Sequence, residues 1–348
     1  MTGTLLTALR HRGVQAALLA ALLFGAGTPL AKLLLDDDVS PWMLAGLLYL
    51  GSGIGLTAYR LARRAPRVRL ARADVTPLAG AILFGGVIGP VLLMYGLVGM
   101  PASGASLLLN AEGVFTALLA WFVFRENFDR RIALGMVAIV AGAVVLSWPG
   151  EARFSAALPA LAVLGACLAW GIDNNLTRKV SLTDATWLAA IKGLVAGPVN
   201  LLLALSLGAA LPPAVNVAGA MAVGLVAYGI SLTLFIVALR HIGTARAGAY
   251  YSVAPFFGAL LALALGESLT VPLVVAGLLM ALGVALHLTE RHSHRHTHEA
   301  LTHDHWHTHD DLHHDHQHAE PVPVAGHRHP HTHEAVTHTH EHYPDAHH

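Results

Sequence analysis

Charge is scarce in this chain and cysteine almost absent. Asp, Glu, Lys and Arg make up 12% of the 348 residues, about half the roughly 25% of an ordinary soluble domain. The single cysteine, Cys167, excludes an internal disulfide and a cysteine-based zinc cluster. It sits in an apolar run and reads as a small core residue. The formal net charge is zero, and no nucleic-acid partner is expected. A cleavable signal peptide is lacking too. The first apolar run is too long for an h-region and has no small-x-small cleavage site, so it is expected to stay as a membrane anchor. No catalytic constellation appears, and no enzyme activity is expected. The nearest approach, His298-Glu299-Ala300-Leu301-Thr302-His303, spaces its histidines five apart where a zincin needs four. The same string recurs at Thr332–His338, which makes it a repeat unit.

What is present is apolar sequence: 55% of residues are hydrophobic and mean hydropathy is +0.58. Stretches of about 20 apolar residues, long enough to cross a ~30 Å hydrocarbon layer as helices, recur along the chain. They predict an all-α polytopic membrane protein with ten spans near 14–34, 41–61, 77–97, 103–124, 131–148, 157–175, 186–207, 215–238, 246–265 and 270–288. Lys and Arg set the orientation. With the N-terminus inside, one side collects Arg10, Arg12, Arg60, Arg63, Arg64, Arg67, Arg69, Arg72, Arg125, Arg130, Arg131, Arg178, Lys179, Arg240, Arg246 and Arg291. The other side receives Asp36–Asp38, the uncharged loop near Gly99–Ser103, Glu151 with Arg153, and Glu267. The positive-inside rule therefore places both termini in the cytoplasm, in a cell (inner) membrane.

The spans echo one another. Phe115, Leu119, Glu126 and Gly142 meet Phe256, Leu260, Glu267 and Gly283 at a constant offset of 141 residues. Phe24-Gly25 through Pro29-Leu30-Ala31-Lys32 is matched by Trp170-Gly171 through Asn175-Leu176-Thr177-Arg178. The chain reads as two five-helix halves, 1–150 and 151–290, with the seam near Trp148–Arg153 and a tail over 291–348. An odd number of spans forces the second half to enter from the opposite side. Inverted repeats of this kind recur in secondary transporters, where two equivalent packings alternate access to a central site.

On these motifs, with the Arg125-Glu126 and Gly266-Glu267 turns and the glycine-spaced helices after them, the chain resembles the drug/metabolite transporter superfamily in its EamA-type ten-helix form. The resemblance covers about residues 14–289. It implies movement of a small solute (an amino acid, other metabolite or drug), often outward, by exchange or proton coupling. One departure stands out. The family usually carries a proline in spans four and nine; span nine has Pro255, whereas span four reads Asn110-Ala111-Glu112-Gly113-Val114. A carboxylate there points to a distinct substrate branch.

Glu112 falls near the midplane, where a charge costs about 2.5–3.5 kcal/mol on insertion scales and so faces a cavity or a partner. Asp173, Asn174 and Asn175 close span six, and Lys192 lies at a depth similar to Asp173. In one reading Glu112 binds a proton or a cationic group while Asn174 and Asn175 hydrogen-bond the solute. In the other, Asp173 or Glu112 neutralises Lys192 and the set pins helices together. Asn110 and Asn200 are candidates for solute contact or interhelical bonding. Arg246 and Tyr250 share a face of span nine, with Tyr251 beside them, and offer either an anionic or aromatic contact or an interfacial anchor. Lys32 and Arg178, at equivalent helix ends, read as snorkelling side chains. Gly25, Gly27, Gly51, Gly53 and Gly55 read as close-packing positions.

Of the 24 histidines, 21 fall in the last 57 residues. That tail is poor in apolar residues and is expected to be disordered. Its His-x-His spacing sets two imidazoles on one side of an extended chain, suited to Zn, Ni, Co or Cu(II). The candidate ligands are His292, His294, His296, His298, His303, His305, His307, His309, His313, His314, His316, His318, His327, His329, His331, His333, His338, His340 and His342. No cofactor is required for the transport reading. Solute, lipid and divalent metal are the expected partners, and a homodimer stays open. Two alternatives remain: a transition-metal transporter whose tail collects ions, and a membrane metal sensor that does not transport. Against the first, the body lacks a set of His, Asp and Glu ligands, His241 and His287 lying at span ends.

Overall fold

The computed structural model describes residues 12–68, 70–124, 130–147, 154–180, 184–242 and 250–288 of the body, and 292–298, 301–307, 327–333 and 336–342 of the tail. Body and tail are separate units, Met1–Glu290 and Arg291–His348.

A backbone in hydrocarbon must satisfy its own N–H and C=O groups, so the apolar runs fold as helices. These are α1 (Arg12–Asp36), α2 (Pro41–Ala62), α3 (Arg72–Ile82, continued by Leu83–Ile88 and Gly89–Gly99) and α4 (Ala102–Leu108, then Ala111–Phe124). There follow α5 (Arg130–Ser147), α6 (Phe154–Lys179), α7 (Ala185–Ser206), α8 (Ala214–Gly224, Leu225–Ile230, Ser231–Ile242), α9 (Ala254–Ala264) and α10 (Val271–Leu288). Seven of these helices are long and apolar enough to cross a membrane, and α5, α9 and α10 are shorter apolar helices. Each of the ten expected runs finds its helix, and the protein is a multi-pass membrane protein.

The helices pair in a pattern that repeats. α2 lies on α7 and α5 on α10, while α3 and α4 both lie on α6 as α8 and α9 both lie on α1. The match reaches individual residues. A Cβ on Gly142 of α5 would meet Ala276 O at 3.1 Å and Met280 of α10. A Cβ on Gly283 of α10 would meet Gly135 O at 2.6 Å and Ile139 of α5. All three residue pairs are related by the same 141-residue offset. The glycines of α1 and α2 are close-packing positions, as expected: Gly53 abuts the Gly193 and Leu194 backbone of α7, and Gly25 abuts Ala254 O of α9. In lipid, where burial of apolar surface gives little driving force, such backbone approach supplies the packing that holds helices together.

Two further similarities mark the halves. α3 and α8 each contain a six-residue π-helical stretch, Leu83–Ile88 and Leu225–Ile230. α4 breaks at Leu109–Asn110, and a turn at Ser252–Val253 precedes α9. In α3 the irregularity has a local cause. Pro90 lacks an N–H and so cannot serve Gly85 O at the π spacing or Gly86 O at the α spacing.

α9 ends at Gly266, whose φ of 106° is a left-handed conformation that favours glycine. The Glu267 N–H then bonds Ala262 O at 3.2 Å, closing the helix. This turn aims the Glu267 carboxylate at the start of α4, where Oε1 accepts from Ala102 N at 2.6 Å and Oε2 from Ser103 N at 2.9 Å. Glu267 thus caps a helix from the other half of the chain. Glu267→Ala is expected to lower stability by about 1 kcal/mol, the usual cost of a lost cap. A thermal melt of purified protein with no shift would contradict this.

At the opposite end of α2, Arg60 Nη1 meets Asp184 Oδ2 at 2.6 Å. Asp184 also accepts from Trp187 N at 3.0 Å and so caps α7. Burial works to raise the Asp184 carboxyl, but the Arg60 guanidinium and the capping N–H outweigh it and hold it below the usual carboxylate range.

The tail, expected from its composition to be disordered, is described in four segments. Its described residues form β1 (His292–His298), β2 (Leu301–His307), β3 (His327–His333) and β4 (Val336–His342). β1 pairs antiparallel with β4, and β2 with β3. The physical reason lies in the same His-x-His alternation: a period of two is the strand period, and the interleaved threonines are good strand formers. Pro330 is tolerated in β3 because every strand of a two-stranded ribbon is an edge.

Candidate functional site at the break in the fourth helix

The break at Leu109–Asn110 places Glu112 in the first turn of the second half of α4. The free N–H groups and dipole of a helix start favour negative charge there. Glu112 is half-buried, and its Oε1 accepts from Asn174 Nδ2 of α6 at 2.8 Å. Asn174 Nδ2 also lies 3.2 Å from Thr116 Oγ1, one helical turn beyond Glu112. Beside them Asn175 clamps α6 to α4 by donating to Thr116 O at 3.2 Å, and to Gly171 O at 2.8 Å. Among the described side chains no cation is paired with Glu112; those of Arg178 and Lys179, at the end of α6, lie outside them.

Lys192 is already committed. Its Nζ lies 2.5 and 2.7 Å from the two oxygens of Asp173 and 3.2 Å from Thr177 Oγ1. The side chains of Lys192 and Asp173 are only 17% and 10% exposed. Of the two readings offered by the sequence, Asp173 rather than Glu112 neutralises Lys192. Lys32, the other lysine with a described side chain, donates to Leu97 O at 2.8 Å and pairs with Asp36 at 3.0 Å.

The π-helical stretch of α3 seats this ion pair. Gly85 has no side chain, and a Cβ there would collide with the Asp173 carboxylate. Two carbonyls of this stretch accept from side chains. Trp170 Nε1 at 3.0 Å and Tyr49 Oη at 2.5 Å both donate to Gly85 O, and Asn200 Nδ2 donates to Gly86 O at 2.9 Å. Gly85→Ala is expected to cost about 1–3 kcal/mol as overpacking. Gly113→Ala, where a Cβ meets nothing within 4 Å, is expected to be neutral or stabilising. Equal melting temperatures for the two variants would contradict this account of Gly85.

An aromatic string runs across helices of both halves. Tyr49 and Tyr228 rings lie 5.5 Å apart, Tyr228 and Phe24 5.9 Å, Phe24 and Tyr251 5.5 Å, and Tyr251 and Phe235 4.6 Å.

The structure therefore gathers Glu112, Asn174, Asn175, Asp173 and Lys192 around α4 and α6. It does not bring in every candidate. Asn110 donates to Leu107 O at 2.9 Å and approaches Met280 Sδ at 3.9 Å, stitching the break rather than joining Glu112. Tyr250 packs with Ala16, Ala17 and Ala238, and its neighbour Tyr251 is the one in the string. Arg246, Glu126 and the histidines His309, His313, His314, His316 and His318 lie outside the described residues. Sequence reasoning missed Tyr49 and Tyr228, and took Trp170 only as part of the repeat and Tyr251 only as the neighbour of Arg246 and Tyr250. The repeat offered a signal for one of them, since Tyr251 stands 141 residues after Asn110.

For metal ligation, no group of three or more His, Cys, Asp or Glu suited to an ion occurs among the described side chains. The tail is described as backbone. Its register sets His292, His294 and His296 opposite His342, His340 and His338. It likewise sets His303, His305 and His307 opposite His331, His329 and His327.

Comparison with known proteins agrees with this architecture. The EamA-like transporter family matches twice, over residues 11–148 and 157–289. An uncharacterized transporter of Methanothermobacter thermautotrophicus is 30% identical over 293 residues, 78% of this chain and 84% of the relative. A probable terminal-alkyne amino-acid exporter of Streptantibioticus cattleyicolor is 28% identical over 279 residues, 79% of this chain and 91% of the relative. A probable amino-acid metabolite efflux pump of Salmonella typhimurium is 28% identical over 172 residues, covering 47% and 52% of the two chains. A solved crystal structure at 20% identity superposes with a TM-score of 0.59, covering 78% of this chain and 95% of its own, which shows the shared fold. With the family matched across both halves of the body, this ten-helix chain is a member of the EamA-like transporter family.

Proposed function

We propose that this protein is a secondary transporter that exports a small solute by alternating access, with Glu112 as its binding or coupling carboxylate. The observation that carries this reading is the carboxylate itself: half-buried at a helix break, bonded to one amide and paired with no cation among the described side chains. Broken helices with ionisable groups at mid-membrane are where transporters hold their cargo. The repeated helix pairing supports two inverted halves, residues 1–150 and 151–290, as the two rocking bodies. The exporters among the relatives support small metabolites as cargo and an outward direction. The arginine distribution supports an inner-membrane location with cytoplasmic termini.

The tail is proposed to bind divalent metal. His-x-His spacing and the His-opposite-His register support this, since two imidazoles on each of two adjacent strands can share one ion. The absence of a metal-ligand group among the described body side chains favours metal as a regulator or buffer over metal as cargo.

Cells carrying the full chain, a truncation after Arg291 and Glu112→Gln separate these roles. The truncation is expected to keep solute export and lose metal retention. Glu112→Gln is expected to lose export and keep metal retention. Export that survives Glu112→Gln, or metal retention that survives truncation, would overturn the respective assignment.

A further inference from the structure

The arginine-rich turn between α2 and α3 is braced from within by one of its own arginines. Arg60 Nη1 meets Asp184 Oδ2 at 2.6 Å, and Nη2 donates to Pro66 O at 3.0 Å. Arg60 thus ties the turn to the residue that caps α7, and its side chain is only 11% exposed. The chain leaves α2 with Arg64 N–H on Leu61 O and Ala65 N–H on Arg60 O, both at 3.0 Å. Arg64 there adopts a left-handed φ of 48°, a form that few non-glycine residues take. At the far end of the turn Leu70 packs against Leu78 of α3, Val180 beyond α6 and Leu188 of α7.

Four arginines lie exposed on this frame: Arg63, Arg64, Arg67 and Arg72. The described ion pairs of the body engage Lys32, Arg60 and Lys192, and none of these four. The acidic side chains described beside them are Asp184, already held by Arg60, and half-buried Asp74 in the first turn of α3. The side chains of Arg69, Arg178 and Lys179 lie outside the described ones, as do those of Glu126, Asp129, Arg125, Arg130 and Arg131 around the turn after α4.

Apolar surface flanks the same four cations. Leu61, in the last turn of α2, is 74% exposed, and Val75, in the first turn of α3, is 52% exposed. A partner that satisfies both features carries phosphate oxygens and hydrocarbon together. Guanidinium groups pair with phosphate oxygens in a bidentate fork, and arginines at the end of a membrane helix sit at headgroup height. Free phosphate would use the arginines and leave the apolar flanks unused.

We propose that the turn between α2 and α3 is a binding site for an anionic phospholipid, with its phosphate on Arg63, Arg64, Arg67 and Arg72 and its chains along Leu61 and Val75. The brace from Arg60 to Asp184 and Pro66 O holds the four guanidinium groups in place. Such a site differs from the general attraction of a basic surface for an anionic membrane, because it depends on the brace as well as on the charge.

The test titrates the purified full chain in detergent with phosphatidylglycerol or with phosphatidylcholine of the same acyl chains, counting bound lipid by native mass spectrometry. Each arginine at an anionic surface strengthens attraction about fivefold, so phosphatidylglycerol is expected to bind at least ~10-fold tighter than phosphatidylcholine. Replacing Arg63, Arg64, Arg67 and Arg72 together by Gln should remove that preference. Where the quadruple variant does not fold, Arg63→Gln with Arg67→Gln should weaken phosphatidylglycerol at least ~5-fold. Arg12→Gln, which removes an exposed arginine of α1, should leave the preference unchanged.

Asp184→Asn separates a braced site from bulk charge. It raises the net positive charge by one and keeps a good cap on α7, since Asn caps as well as Asp. Attraction by charge alone predicts tighter phosphatidylglycerol binding in this variant, whereas the braced site predicts weaker binding. Glycerophosphoglycerol and inorganic phosphate, offered as competitors, are expected not to displace the lipid. Displacement by either one, equal binding of the two lipids, a preference that survives the arginine replacements, a loss in Arg12→Gln, or binding in Asp184→Asn as tight as in the parent chain would each overturn the proposal.

Discussion

Lys192→Met alone should cost this protein about 3–5 kcal/mol of stability, the usual penalty for stranding one member of a buried ion pair. The partner left behind is Asp173, 7% exposed and pressed against the side-chain-free face of Gly85. Its remaining partner would be the hydroxyl of Thr177 at 2.8 Å, which donates one hydrogen bond and no charge. Removing both charges together changes the balance. In Asp173→Asn with Lys192→Met, neither group must be held ionised away from water, and such neutral replacements are often close to neutral in stability. The double variant is therefore expected to melt nearer the parent chain than either single variant. Melting curves in detergent read this directly. A single Lys192→Met as stable as the parent would mean that the pair does not hold α6 to α7.

Glu112→Gln should have the opposite signature. A carboxylate with no ionic partner among the described side chains costs the folded state about 2.5–3.5 kcal/mol at mid-membrane depth, so its removal should leave stability unchanged or raised. Transport should fall on the order of 100-fold, because about 2.7 kcal/mol of cation recognition corresponds to that factor. Function lost with stability kept is the mark of a group maintained for a ligand, whereas Lys192→Met loses stability itself. Measuring both variants by melting and by flux distinguishes a binding carboxylate from a structural one.

How much of this was legible beforehand depended on the kind of signal. The ten helices followed from run lengths, since hydrocarbon leaves few alternatives to a helix. The repeat was legible in Gly142 and Gly283, which prove to face equivalent residues across α5 and α10. The site was half legible. Glu112 stood out because a mid-span carboxylate is costly, and similar depth already allowed Asp173 and Lys192 as partners. Asn174 turned out to reach Glu112, whereas Asn110 turned back on Leu107 O, a choice made by the break in α4 that no local pattern announces. Of the rings, only Tyr251 was legible, standing beside Arg246 and Tyr250 on span nine. Tyr49, Tyr228 and Tyr251 come from three helices, and partly exposed tyrosines of a membrane chain read by default as interfacial anchors. The role of Gly85 required knowing that Asp173 fills the place of its side chain.

The most direct measurement of the central claim is counterflow in proteoliposomes of known orientation, comparing the parent chain with Glu112→Gln at matched protein density. The account predicts saturable, exchange-driven accumulation of a labelled amino acid by the parent chain and none above empty vesicles for Glu112→Gln, with the two proteins melting within a few degrees of each other. Equal accumulation by both proteins would contradict it, because the carboxylate at the break in α4 would then have no part in moving the solute.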